Sequence, residues 1–181
     1  VTLFEASDRL GGTLQFASIA YEPNQRVLEW LKRQVAQSNV AVRMKTRATA
    51  EDLRAQGFEA VVVATGAVRA MPPIPGADQD FVYSGDDMRK LVLGVNLEDI
   101  RAKTSDTTRL LASLGAATGI TRNLDVVRAI SSHWMPLGDR IVIIGGELVG
   151  LELAEYLGHR GRKVTVLEES PKFGRGLRVV R

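Results

Sequence analysis

The amino-acid sequence predicts an α/β chain: Rossmann-like three-layer units with parallel sheets, with two nucleotide-binding units truncated at both ends of the chain. Three observations predict this. The first is a repeat at a constant offset of 163 residues. Val1-Thr2-Leu3-Phe4-Glu5-Ala6-Ser7-Asp8-Arg9-Leu10-Gly11 reads against Val164-Thr165-Val166-Leu167-Glu168-Glu169-Ser170-Pro171-Lys172-Phe173-Gly174. Each copy is a short apolar run ending in glutamate, then a polar turn, a basic residue, an apolar residue and glycine. The second observation is the upstream half of the later copy: Ile141-Val142-Ile143-Ile144, then Gly145-Gly146-Glu147-Leu148-Val149-Gly150 and a helical pattern. The third is Ala60-Val61-Val62-Val63-Ala64, a nearly continuous apolar run of the kind buried on both faces of a parallel sheet. In a dinucleotide-binding βαβ unit the second strand ends in an acid that accepts hydrogen bonds from a ribose hydroxyl. Two copies therefore imply two nucleotide sites and two cofactors. The first copy lacks an upstream half and residue 1 is Val, so the expectation is a segment of a longer protein.

The elements follow in order. Residues 1–66 read as alternating strand and helix. After the first strand, Leu10-Gly11-Gly12-Thr13-Leu14 is a glycine turn. Pro23 can open a helix, because its missing N–H is not needed in a first turn. Val27, Leu28, Leu31 and Val35 then recur at helical spacing. Val40–Met44 suggests a strand, and Thr49-Ala50-Glu51-Asp52-Leu53 a short capped helix. The Ala60–Ala64 strand ends at Thr65-Gly66. Met71-Pro72-Pro73-Ile74-Pro75-Gly76 then punctuates the chain as a linker. Residues 77–139 form a helical connecting segment, in which Asp125 or Thr121 is expected to cap one helix and Gly115 and Gly119 to break the pattern. Trp134-Met135-Pro136-Leu137-Gly138 reads as core packing that leads into the second unit. Residues 140–181 run strand, glycine turn, helix, strand, with Gly161 as a helix stop.

Composition narrows the function. A hydrophobic fraction of 45% and a charged fraction of 25% match an ordinary globular chain. No apolar run approaches the roughly 18 residues needed to span a membrane, so no membrane partner is expected and the cytoplasm is the default compartment. Zero cysteines exclude disulfides, thiolate-held clusters and a redox dithiol from this stretch. Two histidines leave no basis for a zinc site. Lys and Arg are scattered over a net charge of +3, which gives no case for nucleic acid.

The chemistry-bearing residues cluster in the repeat. A pyrophosphate is held at a helix N-terminus, where free N–H groups and the dipole favour an anion. The three fingerprint glycines serve a tight turn, close backbone approach and helix–strand packing. Gly145 and Gly150 supply the first and last, and Gly146 precedes Glu147, which stands in the middle position. Leu148 and Val149 complete the turn. A carboxylate at Glu147 adds bulk and charge beside two phosphates, so it is expected to turn outward and lower the affinity for NAD(H). Glu168 follows Gly145 by 23 residues, close to the roughly 20-residue spacing of the fingerprint. As ribose acceptor it favours NADH over NADPH, whose 2′-phosphate would meet a like charge, while Arg160, Arg162 and Lys163 before the strand leave phosphate tolerance open. Glu5 is the matching acid of the first unit, with Gly11 and Gly12 able to approach a cofactor closely. Thr65 and Gly66 are expected at the carboxyl edge of a strand, where open α/β sheets bind ligands. No spacing builds a triad from Ser84, Asp86, Asp87 and His133, which are read as caps and surface groups. The chemistry is then hydride or electron handling carried by cofactors, and no residue of this stretch is assigned a catalytic role.

Four features together resemble a known family: Val1–Glu5 with Leu10-Gly11-Gly12; Val62-Val63-Ala64-Thr65-Gly66-Ala67; Pro73-Ile74-Pro75-Gly76; and the run from Gly138 to Glu168. They look like the C-terminal half of the NADH:flavin oxidoreductases related to 2,4-dienoyl-CoA reductase, 2-enoate reductase and trimethylamine dehydrogenase. The resemblance implies a flavoprotein in which residues 1–76 are part of an FAD-binding domain and residues 140–181 begin an NAD(P)-binding domain. It further implies an N-terminal TIM barrel carrying FMN and a 4Fe–4S cluster, outside this stretch. NAD(P)H would reduce FAD, and electrons would pass by the cluster and FMN to an unsaturated substrate. Carried over, Glu5 would meet the FAD ribose, and Gly11, Gly12 and Ala64 to Gly66 would lie along FAD. Gly145, Gly146, Gly150 and Glu168 would face the nicotinamide cofactor. Two departures stand out: Thr13 where relatives often carry glutamine, and Glu147 where they carry a small residue. In trimethylamine dehydrogenase-like members the equivalent domains hold ADP or nothing catalytic, so a non-catalytic nucleotide-holding module is the alternative.

Overall fold

The structure is a computed structural model that describes residues 1–67, 71–94 and 96–174. The end of the last predicted stretch, 175–181, lies outside the described residues. Strand β1 (Thr2–Phe4) pairs in parallel with β2 (Ala41–Arg43), and β3 (Arg140–Ile144) pairs in parallel with β4 (Lys163–Leu167). Each parallel pair is joined by helical crossovers, as the geometry of parallel strands demands. In the first unit these are α1 (Thr13–Ala20) and α2 (Pro23–Gln37), and in the second α7 (Leu148–Gly158). Mixed helix and short parallel sheet is thus the observed architecture.

Local chemistry accounts for most boundaries. Pro23 occupies the first turn of α2. Thr49 caps α3 (Ala50–Ala55) in a reciprocal capping box with Asp52, at 3.2 Å and 2.9 Å. Ser84 does the same for α4 (Gly85–Leu93) with Asp87, which also takes the Lys103 ammonium at 2.8 Å. Burial pushes the Asp87 carboxyl up, but the bonds from Lys103 and Ser84 outweigh it and hold the group below its usual value. Ser105 caps α5 (Asp106–Ala117), and Asn123 caps α6 (Leu124–His133). Asn123, rather than the expected Asp125 or Thr121, fills that role because its carbonyl oxygen reaches two N–H groups of the first turn, at 3.0 Å and 3.2 Å. Gly115 does not break α5 but lies inside it, and α7 ends at Gly158, three residues before Gly161.

Three further expectations are corrected. Helix α1 was not foreseen beyond its glycine turn. Of the apolar positions on α2 only Leu28 is buried, while Val27, Trp30 and Leu31 are exposed. The expected strand Ala60–Ala64 is not a strand: Val62 is 90% and Val63 80% exposed. A parallel strand exists only through its neighbours' N–H and C=O groups. Among the described residues β1 is paired only to β2 and β3 only to β4, so the run is left extended with no ladder. Just before the run, Phe58 approaches Phe4 of β1 edge-on, 6.0 Å between centroids.

One hydrophobic cluster draws on all three stretches of the chain. It joins Ile19 of α1 and Leu28 of α2, Leu93, Leu124, Val127 and Met135 of the helical segment, and Ile143, Tyr156 and Leu157 of the second unit. Ile19, Leu28 and Leu157 are each 1% exposed. Burial of such side chains contributes about 2 kcal/mol apiece. Polar ties run beside it: Arg128 on α6 donates to the Ser18 carbonyl at 2.7 Å and to Gln25 at 2.5 Å.

Candidate dinucleotide-binding sites

The sequence repeat is also a repeat of hydrogen bonds. Glu5 follows β1 directly and accepts the Ser7 N–H at 2.7 Å; Glu168 follows β4 directly and accepts the Ser170 N–H at 2.9 Å. The Ser7 hydroxyl donates to the Arg9 carbonyl and the Ser170 hydroxyl to the Lys172 carbonyl, both at 2.7 Å. Each strand tip therefore curls into the same tight polar turn, which fixes its carboxylate at the carboxyl end of a parallel strand. The two serines were legible in the repeat, as equivalent members of its polar turn, but were not singled out.

In the second unit the glycine turn closes on the acid. Glu168 also accepts the Gly146 N–H at 2.7 Å, and the Gly174 N–H returns to the Gly146 carbonyl at 2.8 Å. Gly145 follows β3 at φ +109, a conformation that L side chains rarely adopt, and its N–H donates to Leu167 at 2.8 Å. A Cβ on Gly150 would fall inside contact distance of the Gly145 carbonyl oxygen and 3.0 Å from its carbon. This position holds α7 against the end of β3, and only glycine fits it. A Cβ on Gly146 would meet the Phe173 ring and lie 3.0 Å from the Glu168 Cβ. Gly145, Gly146, Gly150 and Glu168 are thus brought together. Glu147 is exposed and gives α7 no side-chain cap, while Leu148 and Val149 are exposed on the first turn.

In the first unit Gly12 at φ +47 opens α1, whose N-terminus also lacks a side-chain cap; Thr13 is its exposed first residue. A Cβ on Gly12 would meet nothing within 4 Å, whereas one on Gly11, at φ +117, would collide with the Leu28 side chain. The loop after Glu5 is anchored from outside. Asp8 takes Arg9 at 2.9 Å and Arg122 at 2.5 Å, and Arg9 reaches on to the Thr121 carbonyl at 3.1 Å. The Arg9 hydrogen bond, helped by Arg122 against a smaller burial effect, holds the Asp8 carboxyl below its usual value. No hydrogen bond among the described residues ties Ala64, Thr65 or Gly66 to β1, and all three are exposed.

Helices α1, α2 and α7 start without a side-chain cap, whereas α3 to α6 are each capped by a side chain; of the three, α1 and α7 follow a glycine turn. Free N–H groups beside a glycine turn are what a pyrophosphate needs. No group of residues suited to a metal ion occurs among the described residues, and no helix there is long and apolar enough to cross a membrane.

An acid-tipped strand, a glycine turn and an uncapped helix define the dinucleotide-binding class of α/β proteins. Within that class the chain belongs to the pyridine nucleotide-disulphide oxidoreductase family, which residues 16–179 match. It is 28% identical over 170 residues to bilirubin reductase of Mediterraneibacter gnavus, covering 93% of this chain and 20% of that protein. It is also 28% identical over 174 residues to NADH oxidase of Thermoanaerobacter brockii, with the same coverage of each. The fold matches that of a 2-naphthoyl-CoA reductase with a TM-score of 0.67 at 22% identity, over 99% of this chain and 21% of that one. The chain thus spans about a fifth of the length of the curated relatives it matches. The kinship stated from the motifs stands, and the relatives are oxidoreductases. With no cysteine, this stretch contributes no dithiol to whatever chemistry the family name denotes.

Proposed function

We infer that this chain is the dinucleotide-binding part of a flavin-dependent oxidoreductase, with FAD held by the first unit and NAD(H) by the second. The observation that carries the reading is the duplicated carboxylate turn, Glu5 with Ser7 and Glu168 with Ser170, each in a unit whose glycine turn leads into a helix without a side-chain cap. Both sites fit such groups: the strand-tip acid can accept from a ribose, and the helix N–H groups can receive the pyrophosphate. When bound, the two cofactors supply the hydride donor and acceptor.

This chain's own residues bind and orient. Glu168, held by Gly146 and Ser170, presents its carboxylate at the strand tip beside the glycine turn, where the adenosine ribose would lie, and Gly150 keeps α7 close enough to β3 for its N–H groups to reach a phosphate. Exposure of Glu147 supports an outward side chain that leaves the turn open. NADH is favoured over NADPH by the charge of Glu168. Arg160 and Arg162 precede β4, at the end opposite Glu168, and serve the scaffold. Arg160 lies over the Tyr156 ring at 3.6 Å and bonds Ser131, and Arg162 bonds Asp139 at 2.9 Å and the Met135 carbonyl at 3.3 Å. Neither is left to receive a 2′-phosphate. The names of the relatives, a bilirubin reductase and an NADH oxidase, support NADH-driven reduction of an unsaturated substrate at a site elsewhere in the longer protein, with a TIM barrel, FMN and a 4Fe–4S cluster as its expected remaining parts.

Anaerobic addition of NADH to the full-length protein tests this. Loss of the flavin absorption band is the expected result. A bound nucleotide that leaves the band unchanged would favour a module that merely holds ADP.

A further inference from the structure

We propose that Phe173 is a specificity-determining residue of the second unit, its ring a platform on which the adenine base of the bound dinucleotide stacks. This rests on the reading of Glu168 as the acceptor of the adenosine ribose. Adenine is joined to that ribose by a single bond, so a base whose sugar meets Glu168 lies beside the same acid. Phe173 occupies that neighbourhood. A Cβ on Gly146 would collide with Cδ1 and Cε1 of the Phe173 ring and stand 3.0 Å from the Glu168 Cβ. Ring, glycine turn and acid therefore border one point. The ring meets Gly146 along one edge, and Phe173 remains 58% exposed.

The backbone on either side holds this ring in place. The Gly174 N–H donates to the Gly146 carbonyl at 2.8 Å, and the Ser170 hydroxyl donates to the Lys172 carbonyl at 2.7 Å. Ser170 also donates its N–H to Glu168, so the ring and the acid are carried by the same turn. An aromatic ring open to water presents a flat apolar face, and a purine offers a π-face of its own to cover it. The first unit supplies the contrast. Leu10 stands at the position equivalent to Phe173, and it is aliphatic and half-buried. The repeat keeps the acid and the serine in both copies and places a ring in the second alone.

Calorimetric titration of the full-length protein with NADH and with reduced nicotinamide mononucleotide, which lacks the adenosine half, tests the proposal. Phe173→Leu should weaken NADH about tenfold, the factor that stacking one base on one aromatic ring provides, and leave the mononucleotide unchanged. Phe173→Trp should hold NADH at least as tightly as the unaltered protein. A Leu variant that binds NADH as before, a Trp variant as weak as the Leu variant, or an equal loss for both nucleotides would overturn the stacking role and leave the ribose reading of Glu168 standing. Failure of the unaltered protein to bind NADH would instead overturn that reading, and this inference with it.

Discussion

The two nucleotide units carry the same strand-tip turn but secure it differently. In the second, the turn is closed by its own unit: the Gly146 N–H lies on Glu168, and Gly174 returns to Gly146. In the first, backbone bonds from Lys45 to Ser7 and from Thr46 to Glu5 are joined by a clamp from the helical segment, through Arg122 on Asp8 and Arg9 on the Thr121 carbonyl. The closure of the second turn stays inside one unit and uses backbone donors, whereas the clamp on the other turn reaches across the chain and pairs two charged side chains. A duplicated motif can thus keep one geometry while drawing on unrelated supports.

The largest effect is expected from glycines that no side chain can replace. Gly150→Ala drives a methyl onto the Gly145 carbonyl, and overpacking of that kind costs about 3 kcal/mol. Gly11→Ala, with its positive φ and a flexible Leu28 side chain to displace, should cost about 2 kcal/mol. Guanidinium unfolding midpoints rank the two, and a reversed order would mean that the first unit is the tighter. Next, Glu168→Gln should weaken NADH about tenfold in calorimetry while FAD content is unchanged, and Glu5→Gln should do the reverse. Loss of the same cofactor by both variants would end the pairing of acids with cofactors.

Asp8→Asn separates the two supports by pH. A carboxyl whose folded value is lowered stabilises the fold above its unfolded value of about 3.9, and that contribution disappears as pH falls through the folded value. The substitution should therefore cost about 0.5 kcal/mol at pH 7, less in high salt, and nothing at a pH below both values. A penalty that persists in acid would show that the clamp works by shape rather than charge. The smallest effect is expected at Glu147→Gly, which should tighten NADH about threefold by removing a charge at the start of α7. Unchanged affinity would assign that exposed carboxylate no part in binding.

What the sequence revealed follows from where the determining contacts lie. The repeat, the capping boxes at Thr49 and the turn at Gly145 are written in residues a few positions apart, so they could be read directly. Ala60–Ala64 could not, because a run of β-branched residues states only readiness for a sheet, and pairing depends on strands elsewhere. Helix α1 carries no charge and no side-chain cap to announce it. The Asp8–Arg122 clamp joins residues far apart in the chain, and no local pattern encodes it.

The shared cluster of Ile19, Leu28 and Leu157 has a consequence for motion. Swinging one unit against the other would wet these side chains, at roughly 2 kcal/mol each. The span between the two acid-tipped strands is therefore set when the chain folds. A nucleotide held at either strand tip, as proposed above, would then sit on a frame whose two halves resist being turned against each other.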